Sequence, residues 1–223
     1  MAQRGTFIPG EYYHLYNRGT EKRDIFTRTE DYKRFLALLY LCNGTIPVDL
    51  KLQGRTLYEV ANVTKGEPII DICAYVLMPN HFHIYVREKT VGGISAFMRK
   101  LGTGYTMYFN VLYERSGALF QGKFKSRHIR KENYAHYLFA YMHLNPVKLI
   151  EPKWKETGIV DVKRAEHYIR QYPYSSFPDF AGEQRPEKII LSPESLPMGF
   201  GQKDFGLIAS DCLDYIRLQG PTL

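Results

Sequence analysis

The chain is poor in cysteine. Cys42, Cys73 and Cys212 are widely spaced and odd in number. That excludes a disulfide framework and a CxxC metal site, and it fits a reducing cytosol. Nowhere is there a run of about 18 apolar residues, the length a membrane-spanning helix needs. Met1 to Gly10 lacks the apolar core of a secretion signal. Internal repeats and low-complexity tracts are absent too. These absences give the expectation of a cytoplasmic protein with no membrane partner.

What is present is a globular composition with a basic surplus. The 223 residues are 44% hydrophobic, enough for one sizeable domain with appendages. The formal net charge of +7 suggests a polyanionic partner, although a mildly basic enzyme without one has the same balance. Tyrosine is abundant, with 18 copies. Its ring can stack on bases and its oxygen can act as a nucleophile, but most tyrosines are ordinary half-buried strand residues.

Periodicity divides the chain into elements. Tyr12 to Asn17 alternates like a strand. Thr29 reads as an N-cap, and Tyr32, Phe35, Leu36, Leu39 and Tyr40 follow at helical spacing up to Cys42-Asn43-Gly44. Residues 45–68, punctuated by Pro47, Gly54, Gly66 and Pro68, read as an insertion with a short helix or hairpin of its own. Ile69 to Met78 is a central strand, Pro79-Asn80 a turn and His81 to Arg87 its hairpin partner. Ile94 to Tyr113 is a long helix, Leu119 to Ile129 a strand and Lys131 to Asn145 a helix ended by Pro146. The order predicts an α+β fold, a ferredoxin-like antiparallel sheet with packed helices. Residues 1–150 form the main domain. Residues 151–223 are an extension that Tyr168, Tyr172, Tyr174 and Phe177 pack back onto it, with a short final helix at Asp211 to Arg217.

Two pairs of residues carry chemistry. On a strand, His81 and His83 face the same side about 6 to 7 Å apart, within reach of one metal ion. Two histidines on a polar sheet face would look the same, and two ligands do not make a site. On the last helix Tyr141 and Asn145 share a face, which sets a nucleophile beside an oxygen ligand. Tyr141 is equally readable as a core aromatic and Asn145 as a helix C-cap. Tyr134 and Tyr137 are rival nucleophiles, and periodicity does not choose among the three.

The segments Tyr13-His14-Leu15-Tyr16-Asn17-Arg18-Gly19, Met78-Pro79-Asn80-His81-Phe82-His83, Gly117 to Lys125 and Tyr141-Met142-His143-Leu144-Asn145-Pro146-Val147 occur in that order. The ordered set resembles the single-tyrosine HUH transposases, particularly the REP-associated tyrosine transposase branch, over roughly residues 8 to 150. The resemblance implies metal ligation by His81, His83 and Asn145, with Mg²⁺ or Mn²⁺ as the ion. It implies Tyr141 as the nucleophile that cleaves and rejoins single-stranded DNA through a 5′-phosphotyrosine. It also implies hairpin-containing DNA as partner, a monomer or homodimer, and a place at the bacterial nucleoid. The insertion 45–68 and the tail lie outside its pattern.

Lys123, Lys125 and Arg127 alternate along the predicted last strand, and Arg130 and Lys131 follow at once. This reads as a phosphate track, to which Arg99 and Lys100 add and to which Arg18 and Arg23 are weaker candidates. A solvated polar face is the plain alternative. Three other functions compete: a replication-initiator-like nickase or relaxase, a DNA-binding descendant without activity, and a structural metal-binding protein.

Overall fold

Alternation along Tyr12–Arg18 makes β1, a central strand of a four-stranded sheet. The computed structural model describes residues 6–49 and 56–197. Its sheet runs β2 (Ile70–Met78), β3 (His81–Glu88), β1, β4 (Lys125–Ile129), with every neighbouring pair antiparallel. Helix α1 (Thr29–Leu41) connects β1 to β2, and α3 (Gly93–Leu112) connects β3 to β4. This is the ferredoxin-like plan that the element order predicts.

The two faces of the sheet bury different partners. Leu15, Phe82, Ile84 and Val86 join Phe35 and Leu38 of α1 and Phe97, Leu101 and Tyr105 of α3 in one core. Because successive strand residues point to opposite faces, Ala74, Val76 and Tyr85 meet a second core on the far side. That core is built by α4 (Glu132–Leu144) and by α6 (Val162–Gln171). Ten residues of α4 are buried, around nearly its whole circumference. A helix apolar all round has to lie between two layers, and α4 lies between the sheet and the tail.

Helix α1 starts one residue earlier than its sequence suggests, with Arg28 and not Thr29 as the N-cap. Thr29 is its first helical residue, and the capping group is Asp31, whose carboxylate accepts from the backbone N–H of Thr27 and Arg28 at 2.9 and 3.2 Å. The hydroxyls of Tyr108 and Tyr113 also donate to it, which ties α1 to α3. The insertion carries a one-turn helix, α2 (Leu57–Val60), whose Leu57 and Val60 are buried in the first core.

The last strand is shorter than expected. It begins at Lys125, not Leu119. Gly122, at φ 77°, turns the backbone where an uninterrupted strand would have to continue. Phe120 forms an isolated bridge to Gly19, and Leu119 and Phe120 are buried. Lys123 therefore stands in a bend before the strand and does not share a face with Lys125 and Arg127.

The tail closes the exposed edge of β2. The carbonyl of Tyr174 accepts from the Leu77 N–H, and the N–H groups of Ser176 and Ser192 donate to the carbonyls of Tyr75 and Ile72. An edge strand left open is a template for unwanted pairing. Tyr172 and Phe177 are buried here, while Tyr168 and Tyr174 are half-buried. The helix expected at Asp211 to Arg217 lies outside the described residues.

Candidate active site

Register places the histidines. His81 pairs with Arg18 of β1, and His83 with Tyr16. All four side chains emerge on the face covered by α4, at the end of the sheet where α4 runs out. There they line a cleft of ≈ 330 Å³ together with Tyr141 and Asn145. Gly19 makes the sharp exit from β1. A Cβ there would sit 2.3 Å from the Arg23 carbonyl oxygen, so only glycine holds the turn that follows Arg18.

His83 is buried, and its Nδ1 lies 2.8 Å from Nε2 of His14. Its Nε2 is buried without a hydrogen-bond partner among the described residues. His81 is half-buried, and its Nδ1 is 2.6 Å from Oδ1 of Asn80. The Asn80 amide nitrogen donates to the Lys22 carbonyl at 3.1 Å, which fixes the amide with its oxygen toward His81. His81 Nδ1 is therefore the protonated nitrogen, and Nε2 keeps its lone pair. The two imidazoles stand edge to face with centroids 5.1 Å apart.

Both histidines are held neutral. Burial, followed by Arg18, Lys155 and Lys148, pulls the His81 pKa down to about 3. His83 is also lowered well below its ordinary value, by burial first and then by its neighbours His14 and His81. A neutral imidazole with one nitrogen hydrogen-bonded and the other open is the form that binds a metal.

Tyr141 presents its ring edge-on to His83, with centroids 5.8 Å apart. Its phenolic oxygen accepts from Lys155 Nζ at 2.7 Å. Asn145 caps α4 and is buried, and its Nδ2 has no hydrogen-bond partner among the described residues. His81 and His83 through Nε2, and Asn145 through its amide oxygen, are the groups of this cleft that could hold a divalent ion. Among the described residues no three His, Cys, Asp or Glu side chains gather as a metal site, so a third donor in this cleft would have to be of another kind, such as an amide. Imidazole suits the softer Mn²⁺ better, and Mg²⁺ prefers oxygen.

The rival tyrosines are elsewhere. Tyr134 lies under the Arg127 guanidinium at 4.2 Å, and Tyr137 is buried in the second core; neither lines the cleft. Of the predicted DNA-contacting residues, Arg18 and Lys125 line it. Arg127 is exposed on the same sheet face one strand repeat away. Arg130 donates to His128, and Lys131 is the exposed N-cap of α4. Lys123 and Arg99 instead line a second cavity of ≈ 760 Å³ against α3. Lys100 donates to the Gly44 carbonyl, and Arg23 to the Glu21 carboxylate.

Four site residues escape the sequence reading. Tyr16 and His14 were within reach, because they alternate with Arg18 along β1 and face the histidines of β3. Lys148 and Lys155 carry no periodic signal. They come from the chain after α4, Lys155 from the one-turn helix α5 (Trp154–Thr157).

The fold is thus the ferredoxin-like type, with a histidine pair on a central strand and a tyrosine on the helix that covers it. It is similar to a solved structure described as a REP-associated tyrosine transposase bound to a REP hairpin, at a TM-score of 0.52 and 14% identity. The match covers 92% of this chain and 98% of that chain. No family model and no curated protein matches the sequence. At that identity the likeness establishes the fold.

Proposed function

We propose that this protein is a metal-dependent tyrosine transposase that cleaves and rejoins single-stranded DNA, and that it is a single-tyrosine HUH enzyme of the REP-associated type. One observation carries the reading: His81, His83, Tyr141 and Asn145 meet in one cleft whose ionised side chains are all cationic. Those are Arg18, Lys125, Lys148 and Lys155, and no Asp or Glu among the described residues lines it. Such a cleft suits a phosphodiester. Because the similar structure holds a REP hairpin, hairpin-containing single-stranded DNA is the proposed substrate.

Mg²⁺ or Mn²⁺ held by His81, His83 and Asn145 would supply Lewis-acid polarisation of a non-bridging phosphate oxygen. The chain's own groups do the rest. Arg18 and Lys125 hold the flanking phosphates. Tyr141 Oη bonds to phosphorus as the bond from phosphorus to the 3′ oxygen breaks. The phenolic proton leaves to solvent, and the departing 3′ oxygen takes one up. The product is a 5′-phosphotyrosine and a free 3′-hydroxyl. One phosphoester replaces another, so the reverse attack rejoins the strand without ATP.

The test is a denaturing gel of labelled hairpin DNA, taken from the sequences flanking the gene, incubated with protein and Mn²⁺ or Mg²⁺. A covalent adduct lost in Tyr141→Phe and His83→Ala supports the mechanism. An adduct that survives Tyr141→Phe overturns the assignment of the nucleophile. Tight binding with no adduct on any flanking strand favours a DNA-binding descendant without activity.

A further inference from the structure

Lys155 lies outside the sheet and its two connecting helices, yet it lines the cleft and touches Tyr141. Its neighbour Trp154 is fully buried in the second core, among residues of α4 and α6. The backbone N–H of Trp154 donates to the Glu151 carbonyl at 3.1 Å, and those of Glu156 and Thr157 to the Lys153 carbonyl at 2.8 and 3.1 Å. The backbone at Lys155 is therefore fixed from both sides. From there the side chain crosses the Tyr141 ring, with Nζ 4.2 Å from the ring centroid, and donates to the phenolic oxygen.

We propose that Lys155 is the positioning residue for the nucleophile, so that the segment after α4 completes the active site. The proposal rests on Tyr141 being the nucleophile. An ammonium has three donors and no acceptor, so the phenolic oxygen is the acceptor in this contact. That contact engages one lone pair of the phenolic oxygen and fixes the oxygen's place against Lys155. A tyrosine on a helix is restrained about its first side-chain torsion but can still swing its tip. Lys155 removes that freedom, with His83 against the ring edge. Misplacement of a reacting atom by about 1 Å costs on the order of 100-fold in rate. The same ammonium adds positive charge where phosphate enters, and it does so in direct contact with Tyr141 Oη at 2.7 Å.

The test compares Lys155→Met, Lys155→Arg and Lys153→Met. The last removes an equal charge from an exposed position two residues away. Single-turnover adduct formation is followed against protein concentration. The expected result for Lys155→Met is a maximal rate lower by about 100-fold, with a half-saturating concentration changed far less. Lys155→Arg recovers a substantial part of the rate, and Lys153→Met matches the unaltered protein. A second measurement needs neither metal nor DNA. In protein carrying [ζ-¹³C]tyrosine, the Tyr141 resonance, assigned with Tyr141→Phe, shifts in Lys155→Met and stays in place in Lys153→Met. An unmoved resonance, or a Lys155→Met defect confined to half-saturation, overturns the proposal. If the unaltered protein forms no adduct while the resonance still shifts, the transposase reading fails and the contact stands.

Discussion

His14 Nε2 and His83 Nδ1 lie 2.8 Å apart in the interior, a distance that requires one of the two nitrogens to carry the proton. If His83 donates, its Nε2 keeps the lone pair that a metal needs. If His14 donates, His83 Nε2 is an N–H and cannot ligate. The metal-competent state therefore has His14 as acceptor, in the role that outer-shell partners usually play for ligating histidines. His14→Phe fills the space without an acceptor and is expected to weaken Mn²⁺ binding by about 10- to 100-fold. His14→Gln, which keeps an acceptor, retains most of it. Titration calorimetry with Mn²⁺ decides. Unchanged affinity in a folded His14→Phe protein would reduce His14 to packing.

The charge around the site gives a second prediction. Among the described residues four cations and no carboxylate line the cleft, so a divalent ion entering alone meets repulsion. A bound phosphodiester cancels that repulsion and adds oxygen ligands. Metal and DNA should therefore bind cooperatively, by about 1 to 3 kcal/mol. Mn²⁺ affinity measured with and without hairpin DNA should differ at least about fivefold, and DNA affinity with and without Mn²⁺ by the same factor. Raising the salt should shrink the effect. Independent binding would show that the cleft cations do not face the ion.

The parts of the site that the sequence discloses are those tied to a repeat. His81 and His83 are two apart on a strand, and Tyr141 and Asn145 four apart on a helix, so each pair shares a face by geometry alone. Joining the pairs takes tertiary structure: α4 has to fold over the one sheet face that carries the histidines. The resemblance supplied that step, and the structure brings the residues together. Lys155 could not be found this way, because its position depends on Trp154 docking into a core formed by distant segments. Lys123 was misplaced for a local reason. The alternation of lysines suggested a continuous strand, and Gly122 interrupts it. The insertion resisted because Leu57 and Val60, a single buried turn, are too few to show a period.

Arg185 and Asp179 form a pair whose loss should be costly. Nη2 and Oδ2 are 2.6 Å apart, with the side chains 13% and 3% exposed. The same guanidinium donates to the Ser175 and Pro173 carbonyls beside the edge of β2. Arg185→Ala leaves a buried carboxylate and two carbonyls without their donors, at an expected cost of about 3 to 5 kcal/mol. Arg185→Lys should recover little, since one ammonium cannot span the fork. Urea unfolding measures both. A loss under about 1 kcal/mol would mark the pair as solvated.

Acid should destabilise the protein well above the carboxylate range. Burial, the main cause in each case, lowers the pKa of His14 and His143 to about 3, and that of His83 well below its ordinary value. In the unfolded chain each returns to about 6.5. Below that pH the unfolded state binds protons that the folded state refuses. Stability is therefore fully present above about pH 6.5 and falls as the pH drops toward 3. Each histidine contributes a slope approaching 1.4 kcal/mol per pH unit, to order of magnitude. Burial raises the Glu88 carboxyl, which acts in the opposite sense between its ordinary and its raised pKa, and acts alike in any two variants that keep Glu88. Urea midpoints between about pH 7.5 and 5.5, compared between such variants, read the histidines. His143 Nε2 lies 2.9 Å from Ser176 Oγ, a hydrogen bond that glutamine can keep. His143→Gln should remove that histidine's share of the slope while leaving the midpoint near pH 7.5 close to the original. Equal slopes in the two proteins would mean that His143 takes up its proton in the folded state, and that the second core is open to water at the end of α4.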